Sequence, residues 1–152
     1  MRLDQVLEID APAERVWQVI TDLDRYPEWN PFVVACRSSL APGDPIEMRV
    51  HVFRSFAQPQ RETIFEHVPG RRLCYGVPAR PLGALASRRC HEVEALDPAR
   101  TRYVSRFELS GWLAPVVELL LGRRLAAGFA AMSAALKVRA EACARLGEAP
   151  LH

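Results

Sequence analysis

The sequence has neither a large net charge nor closely spaced cysteines, two features that mark nucleic-acid-binding and metal-binding proteins. Its 152 residues carry a formal net charge of only +2, which is too small to imply a polyanionic partner. Its four cysteines show no CxxC spacing, so neither a zinc knuckle nor a redox pair is indicated. We expect Cys36, Cys74, Cys90 and Cys143 to be free, half-buried thiols.

Arginine occurs in three adjacent pairs, but the pairs lie in different segments of the chain. A nucleic-acid surface would need them on one face, interleaved with aromatic side chains. We therefore interpret them as solvated surface charge and predict no nucleic-acid partner. The pairs are Arg71/Arg72, Arg88/Arg89 and Arg123/Arg124.

Long apolar runs are also missing. The most apolar segment, GWLAPVVELLLG, is too short to span a bilayer and contains Pro115 and Glu118, so we predict no stable membrane insertion. The first ten residues include acidic side chains and no apolar run of signal-peptide length. These features predict a cytoplasmic protein.

Motifs for nucleophilic catalysis, metal-dependent hydrolysis or phosphate binding are absent. The chain has no GxSxG, no HExxH and no glycine-rich phosphate loop, so we predict no cofactor and no metal site. Acid–base catalysis stays open, because a cyclase or dehydratase needs only one positioned acid or base in a dry pocket.

What the chain does have is the composition of an ordinary globular protein, with 49% apolar and 25% charged residues. Its length fits one domain. We assign residues 1–147 to a single ligand-binding domain and residues 148–152 to a C-terminal tail.

The hydrophobic pattern changes three times along the chain. Residues 2–9 alternate with a period of two and predict a strand, and apolar residues at helical steps from Val16 to Leu23 then predict short helices. Alternating runs separated by turn residues predict six further strands, at 33–40, 46–53, 61–68, 72–77, 87–96 and 100–110. Helical spacing returns after Gly111 and predicts one helix over 113–146.

Short connections between consecutive strands favour antiparallel pairing. The sequence therefore predicts an α+β fold: a curved seven-stranded antiparallel sheet, two short helices after the first strand, and a long C-terminal helix covering the sheet. A curved sheet cannot close completely onto a straight helix, so we expect a cavity between them. Gly128 and the alanines around it leave space there, and we predict a volume of about 300 Å³ or more.

Three segments carry a family resemblance: IDAPAERVWQVITDLDRYPEWNPFV, ARTRYVSRFELSGW and GFAAMSAALKVRAEA. Together they resemble the SRPBCC, or START-like, superfamily, particularly its polyketide cyclase/dehydrase and lipid-transport-like branch. The resemblance implies a helix-grip fold with a deep, largely apolar cavity. It also implies that the loop with Tyr26, Trp29 and Phe32 lies near that cavity, either in its wall or as a plug that fixes the short helices to the sheet.

The resemblance leads us to expect a His and a Glu at alternate positions of the last strand. This chain has Ser105 and Phe107 there, which predicts a more apolar pocket and weakens both a catalytic and a metal assignment. His91 is the candidate acid or base if the protein is an enzyme, although a lone histidine is more often structural. The sequence leaves open which strand face of His51 and Glu66 points to the cavity.

We predict that the protein binds or sequesters a small hydrophobic ligand, such as a lipid, a polyketide or an isoprenoid quinone, in this cavity. The alternatives are a cyclase- or dehydratase-type enzyme and a protein-interaction module, the latter suggested by the fold family alone. Several of the candidate side chains can equally be plain core. The predicted ligand-binding residues are Trp29, Phe32, Tyr75, His91, Tyr103, Ser105, Phe107, Trp112, Gly128, Phe129 and Met132.

Overall fold

The computed structural model describes residues 1–79 and 81–147, so the tail predicted at 148–152 lies outside the described residues. Short 3-10 turns lie at Leu23–Arg25 and Pro81–Gly83. The strands and α-helices are β1 (Arg2–Ile9), α1 (Ala13–Thr21), α2 (Tyr26–Trp29), β2 (Val33–Ser38), β3 (Pro45–Val50), β4 (Gln58–Val68), β5 (Arg72–Gly76), β6 (Ala86–Asp97), β7 (Arg100–Ser110) and α3 (Ala114–Leu146).

The seven strands form one antiparallel sheet in the order β1-β7-β6-β5-β4-β3-β2. Strands β2 to β7 pair with their neighbours along the chain, because short turns join them. β1 lies at the other edge and pairs with β7. The predicted α+β helix-grip architecture is therefore confirmed.

Two strand ends differ from the sequence prediction in the same loop. β3 ends at Val50 rather than at residue 53, and β4 begins at Gln58 rather than at residue 61. Pro59 lies in β4 because proline is tolerated near the start of a strand, and here it pairs with Arg49.

Bulges bend the sheet. The register between β4 and β5 shifts between Ile64 and Glu66. Similar shifts occur at the start of β2, where it pairs with β3, and near the end of β6, where it pairs with β7. An extra residue in one strand increases the local twist and bend. The sheet therefore curves around the helices that cover its inner face.

The long helix α3 confirms the helix prediction within one residue at its start. Pro115 lies in its first turn, where a backbone N–H has no helical partner, and Gly147 ends it in the left-handed conformation with φ 65°. By length and composition alone this helix could also cross a membrane. Here its second half lies across the sheet, with Leu136 and Ala140 fully buried in the core.

Two of the cysteines correct the sequence analysis. Cys74 and Cys90 form a disulfide between β5 and β6, with their Cα atoms 4.2 Å apart, so the prediction of free thiols is wrong for this pair. Their separation of 16 residues gives no local signal, and only the register of the two strands places them opposite each other. Cys36 and Cys143 are free, as predicted, but both are buried.

The outer face of the sheet carries a ladder of ion pairs. Glu66 accepts a hydrogen bond from Arg88 at 3.1 Å, and Glu92 accepts one from Arg106 at 3.1 Å. Arg72 lies between the two carboxylates, 3.8 Å from Glu66 and 3.5 Å from Glu92. These partly exposed pairs contribute little stability individually, but they show that Glu66 points away from the inner face.

Candidate functional site

A cavity of about 160 Å³ lies between the sheet and the first half of α3. The predicted volume of 300 Å³ is wrong, because aromatic rings occupy the space: the Phe129 ring lies 5.1 Å from that of Phe32 and 4.7 Å from that of Phe107. The cavity is lined by Phe32, Val33, Met48, Val50, Val52, Gln58, Gln60, Glu62, Tyr75, Val77, Leu85, Ser87, Arg89, Phe107, Leu109, Val117, Leu121, Leu125, Phe129 and Met132.

The lining is not buried evenly. Most lining side chains from the sheet, and those from the middle of α3, are buried, whereas eight others are half-buried. The eight are the polar Gln58, Gln60 and Ser87 and the apolar Val77, Leu85, Val117, Leu121 and Leu125. These five apolar residues come from the β5–β6 connection and the first turns of α3. They form the mouth through which a ligand would reach the cavity.

Arg89 reaches into the cavity from β6, although its exposed fraction is only 3%. Its guanidinium donates hydrogen bonds to the Ser105 hydroxyl and to the Met132 sulfur, 3.7 Å from Nη2. Its Cζ atom lies 4.3 Å from the centre of the Phe129 ring. A buried cation is unfavourable unless it is paired, and these three partners are neutral.

Strand alternation explains why Arg89 differs from Arg88. Adjacent residues of a strand face opposite sides of the sheet, so Arg88 joins the outer ion-pair ladder while Arg89 points inward. Our interpretation of this pair as solvated surface charge is therefore wrong for Arg89.

Glu62 lines the same cavity from β4, with an exposed fraction of 9%. Within residues 1–79 and 81–147 its carboxyl group has no hydrogen bond and no ion pair. Burial raises the pKa of Glu62 to about 7, and the nearby charge of Arg89 opposes that rise. This carboxyl group can therefore hold or release a proton near neutral pH.

Together, Arg89 and Glu62 overturn the expectation of a more apolar pocket. That expectation came from Ser105 and Phe107 on β7 alone. The polar groups come instead from β6 and β4. The sequence of β7 alone contains no information about them.

His91 lies beside the cavity without lining it. Its Nδ1 atom is 2.7 Å from the Tyr103 hydroxyl and its Nε2 atom is 3.1 Å from the Tyr75 hydroxyl. Burial, assisted by the charge of Arg89, lowers the pKa of His91 well below its usual range, so the ring is neutral at pH 7. A neutral imidazole donates one hydrogen bond and accepts another, which matches one tyrosine on each side.

The structure brings five of the predicted residues into the cavity wall and places two directly behind it. Tyr103 is fully buried against His91, and Ser105 is buried against Arg89. Whether the wall residues bind a ligand stays a prediction. They are Phe32, Tyr75, Phe107, Phe129 and Met132.

Trp29, Trp112 and Gly128 lie outside the cavity lining. Trp29 packs edge-on against Tyr26 within α2, with ring centres 5.1 Å apart. Trp112 is 64% exposed, because the turn before α3 directs it to solvent, so its predicted place in the wall is wrong. A Cβ atom on Gly128 would lie 2.3 Å from the Phe32 ring, so this glycine permits close packing rather than leaving a void.

The two residues whose orientation the sequence left open both point elsewhere. Glu66 belongs to the outer ion-pair ladder. His51 is exposed in the loop after β3, and its Nδ1 atom lies 3.3 Å from the Phe53 carbonyl oxygen. Among the described residues, no three His, Cys, Asp or Glu side chains are grouped so that they could hold a metal ion.

Sequence reasoning missed Arg89 and Glu62, although a signal for each was present. Arg89 alternates in phase with His91, and Glu62 alternates in phase with the core residue Ile64. A strict period of two therefore places both charges inside. The usual preference of charged side chains for solvent argued the other way.

Solved structures of other proteins share this architecture. A START superfamily protein from Mycobacterium smegmatis is 18% identical, with a TM-score of 0.69 over 93% of this chain and 97% of that one. The Zhui aromatase/cyclase from Streptomyces sp. R1128 is 17% identical, with a TM-score of 0.71 over 97% of both chains. A Thermobifida fusca protein is 25% identical, with a TM-score of 0.66 over 99% of this chain and 98% of that one.

A search of curated proteins finds no match to the sequence. The model of one protein family does match it, over residues 1–141. That range contains all seven strands, α1, α2 and most of α3, and so every residue of the cavity wall. The chain therefore belongs to the polyketide cyclase / dehydrase and lipid transport family, as its three sequence segments predicted.

Proposed function

We propose that the protein binds a slender hydrophobic ligand whose anionic or carbonyl oxygen is held by Arg89. Family membership supports hydrophobic ligand binding in general. The finer proposal is carried by one observation, the buried guanidinium of Arg89, whose hydrogen-bond and ring partners are all neutral, in a mostly apolar cavity. A ligand oxygen would supply the charge-assisted hydrogen bond that such a cation lacks.

The cavity volume limits what part of the ligand can be enclosed. An apolar cavity of about 150 Å³ accommodates a single aromatic ring, and the volume here is about 160 Å³. A lipid, a polyketide or an isoprenoid quinone would therefore bury its oxygen-bearing end. The remainder would lie in the mouth, against Val117 and Leu121.

Calorimetric titration with two matched ligands tests this proposal. The ligands are 4-butylbenzoate and the neutral 4-butylbenzyl alcohol, compared at about pH 6, where Glu62 is mostly protonated and does not repel the carboxylate. We expect the wild type to bind the carboxylate about tenfold or more tightly, because hydrogen bonds to charged groups contribute about 1.5–3 kcal/mol.

Arg89→Met provides the matched variant, since methionine keeps an unbranched apolar chain and removes the charge. A buried cation without an ion-pair partner carries a desolvation cost, so we expect the apolar replacement to leave the fold intact. The variant should lose the preference for the carboxylate while it still binds the alcohol, which shows that the cavity is intact. A preference that survives in Arg89→Met would contradict the proposal, as would equal wild-type affinities.

A second candidate function, cyclase-type proton transfer, is favoured by Glu62 rather than by His91. A general base works best when its pKa lies near the working pH, and burial brings the pKa of Glu62 to about 7. Glu62 would accept a proton from a carbon next to a ligand carbonyl. Arg89 would stabilise the negative charge that then develops on the carbonyl oxygen.

The second candidate is tested by measuring with NMR how fast the methyl hydrogens beside the carbonyl of 4-butylacetophenone are replaced by deuterium in heavy water. If the protein is such an enzyme, the wild type accelerates exchange at the methyl group beside the carbonyl, and Glu62→Gln lowers the acceleration by about 10²–10⁴. His91→Gln should exchange at the wild-type rate, because His91 does not line the cavity. Absence of any acceleration by the wild type would eliminate this candidate.

A further inference from the structure

Large apolar side chains are concentrated at the end of the molecule where the cavity opens. Of the ten such side chains that are exposed among the described residues, half lie here, with exposed fractions from 50% to 93%. We refer to them as the mouth patch, which consists of Leu82, Trp112, Val116, Leu119 and Leu120.

The residues of the mouth patch lie on two adjoining elements. Val116, Leu119 and Leu120 follow the three- and four-residue spacing of a single helix face. The backbone N–H of Trp112 donates to the Gly83 carbonyl oxygen at 3.3 Å, which joins the start of α3 to the loop that carries Leu82. The side chains of Val116, Leu119 and Leu120 are 50% to 85% exposed, so the protein itself does not cover this face.

A basic groove lies next to the patch. Arg54, Arg123, Arg124 and His51 line it, between the β3–β4 loop and α3. Among the described residues none of these arginines has an ion-pair partner, and Arg124 lies over the Phe53 ring at 5.5 Å.

Charge at this end is therefore one-sided. The arginines of the outer face, by contrast, are paired with carboxylates. The acidic residue in the first turns of α3, Glu118, lies beside Gly122 and away from the face of the mouth patch. The groove therefore presents positive charge beside apolar surface.

We propose that this end of the protein docks on an anionic lipid surface. The mouth patch would enter the boundary between headgroups and acyl chains, and the arginines of the groove would contact lipid phosphates. An apolar face flanked by arginine is the combination that binds anionic bilayers peripherally, and tryptophan favours that boundary. This mode needs no membrane-spanning segment, in agreement with the sequence prediction.

Docking would place the cavity mouth on the bilayer, because Val117 and Leu121 line the cavity from the same turns of α3 that carry the patch. A hydrophobic ligand could then pass between lipid and cavity without crossing water. Ligand transfer between lipid and cavity rests on the proposed function, whereas docking on the lipid surface does not.

Vesicle co-sedimentation tests the proposal with the full chain. We expect partitioning onto phosphatidylcholine vesicles that contain phosphatidylglycerol to be about tenfold or more stronger than onto pure phosphatidylcholine, and to weaken at high salt. Trp112 supplies a second readout. Its exposed indole should shift its fluorescence to shorter wavelength on the anionic vesicles, and Trp112→Phe should remove that shift.

The double variant Leu119→Gln/Leu120→Gln should weaken partitioning about tenfold or more. Val138→Gln is its matched control, because Val138 is 66% exposed on the same helix but lies more than four turns further along. Arg123→Gln should weaken binding to anionic vesicles only. All variants should bind 4-butylbenzyl alcohol in vesicle-free buffer as the wild type does, so a failure of docking is distinguishable from a failure of ligand binding.

Three results would overturn the proposal. The first is unchanged partitioning of the Leu119→Gln/Leu120→Gln variant, and the second is no partitioning of the wild type at all. The third is self-association of the wild type that the double variant abolishes in the absence of vesicle binding, which would assign the mouth patch to a second copy of the chain.

Discussion

Two buried side chains, Glu62 and His91, respond to pH in opposite directions. The pKa of Glu62 is raised to about 7, so the folded protein keeps a proton that the unfolded chain loses near pH 4.5. The folded protein is therefore most stable, as far as Glu62 is concerned, below pH 4.5, and this stabilisation is lost as the pH rises through about 7. The pKa of His91 is lowered from 6.5, so its contribution is present above pH 6.5 and is lost as the pH falls.

Glu62→Gln should therefore remove the loss of stability between about pH 4.5 and pH 7. A shift of this size corresponds to roughly 3 kcal/mol, so the variant should be more stable than the wild type at pH 8 and similar to it at pH 5. Urea denaturation at several pH values measures this. His91→Gln serves as a comparison that changes only the acidic side of the profile, and parallel profiles of wild type and Glu62→Gln would contradict the assignment.

The roles of single residues were the least predictable part of the sequence. His91 is buried on the inner face of β6 with Arg89 and Val93, as a strict period of two requires. Whether such a residue lines a cavity or lies behind a neighbour depends on side chains from other strands. Tyr75 and Tyr103, which hold His91 on either side, come from β5 and β7, and no local pattern joins the three.

At the scale of elements, α3 contains two glycines with different surroundings. A Cβ atom on Gly122 would meet Glu118 Cγ at 3.5 Å and Met1 Sδ at 3.7 Å, which are ordinary contacts. A Cβ atom on Gly128 would lie 2.3 Å from the buried ring of Phe32. Alanine favours the helix by about 1 kcal/mol over glycine at either position, so only the surroundings differ.

We expect Gly122→Ala to stabilise the protein by up to about 1 kcal/mol. Gly128→Ala should destabilise it by about 1–3 kcal/mol, because the Phe32 ring must shift in a packed core. Phe32 also lines the cavity, so affinity for 4-butylbenzyl alcohol should fall in Gly128→Ala alone. Denaturation and titration of the two variants in parallel measure this, and equal stabilities would show that Phe32 can move freely.

The order and type of the elements were predictable because they depend on local signals. Hydrophobic period and turn residues gave the bounds of β1 and β7 and the start of α3 within one residue. The disulfide was not predictable, since Cys74 and Cys90 meet only through the register of β5 and β6. Register depends on pairing across the sheet, which a single strand does not encode.

At the scale of the whole molecule, sequence motifs predicted the architecture and the presence of a cavity but not its size. The cavity volume is the small difference between the space enclosed by a curved sheet and the side chains that fill it. Here the rings of Phe32, Phe107 and Phe129 take up much of that space. A rotation of one ring changes such a volume substantially, whereas it leaves the fold unchanged.

The pairing of β1 with β7 has a consequence for the order in which the protein folds. Leu3 lies opposite Phe107, whereas every other strand pair joins neighbours along the chain. Closing so long a loop carries a larger loss of chain entropy than forming a hairpin. We therefore expect the hairpins of β2 to β7 to form first and β1 to join last, so that a chain emerging from the ribosome holds its first strand unpaired until β7 has been made.

Refolding kinetics can separate the two stages. Leu7→Ala in β1 should mainly accelerate unfolding, whereas Val93→Ala in β6 should mainly slow folding, because only β6 is paired in the transition state. If Leu7→Ala slowed folding as much as Val93→Ala, the edge strand would belong to the nucleus.

Late addition of β1 would leave the exposed edge of β7 available for pairing with another chain during synthesis. Charged side chains on the outer face of β7 would then disfavour such pairing and so reduce aggregation. They are Arg102, Arg106 and Glu108.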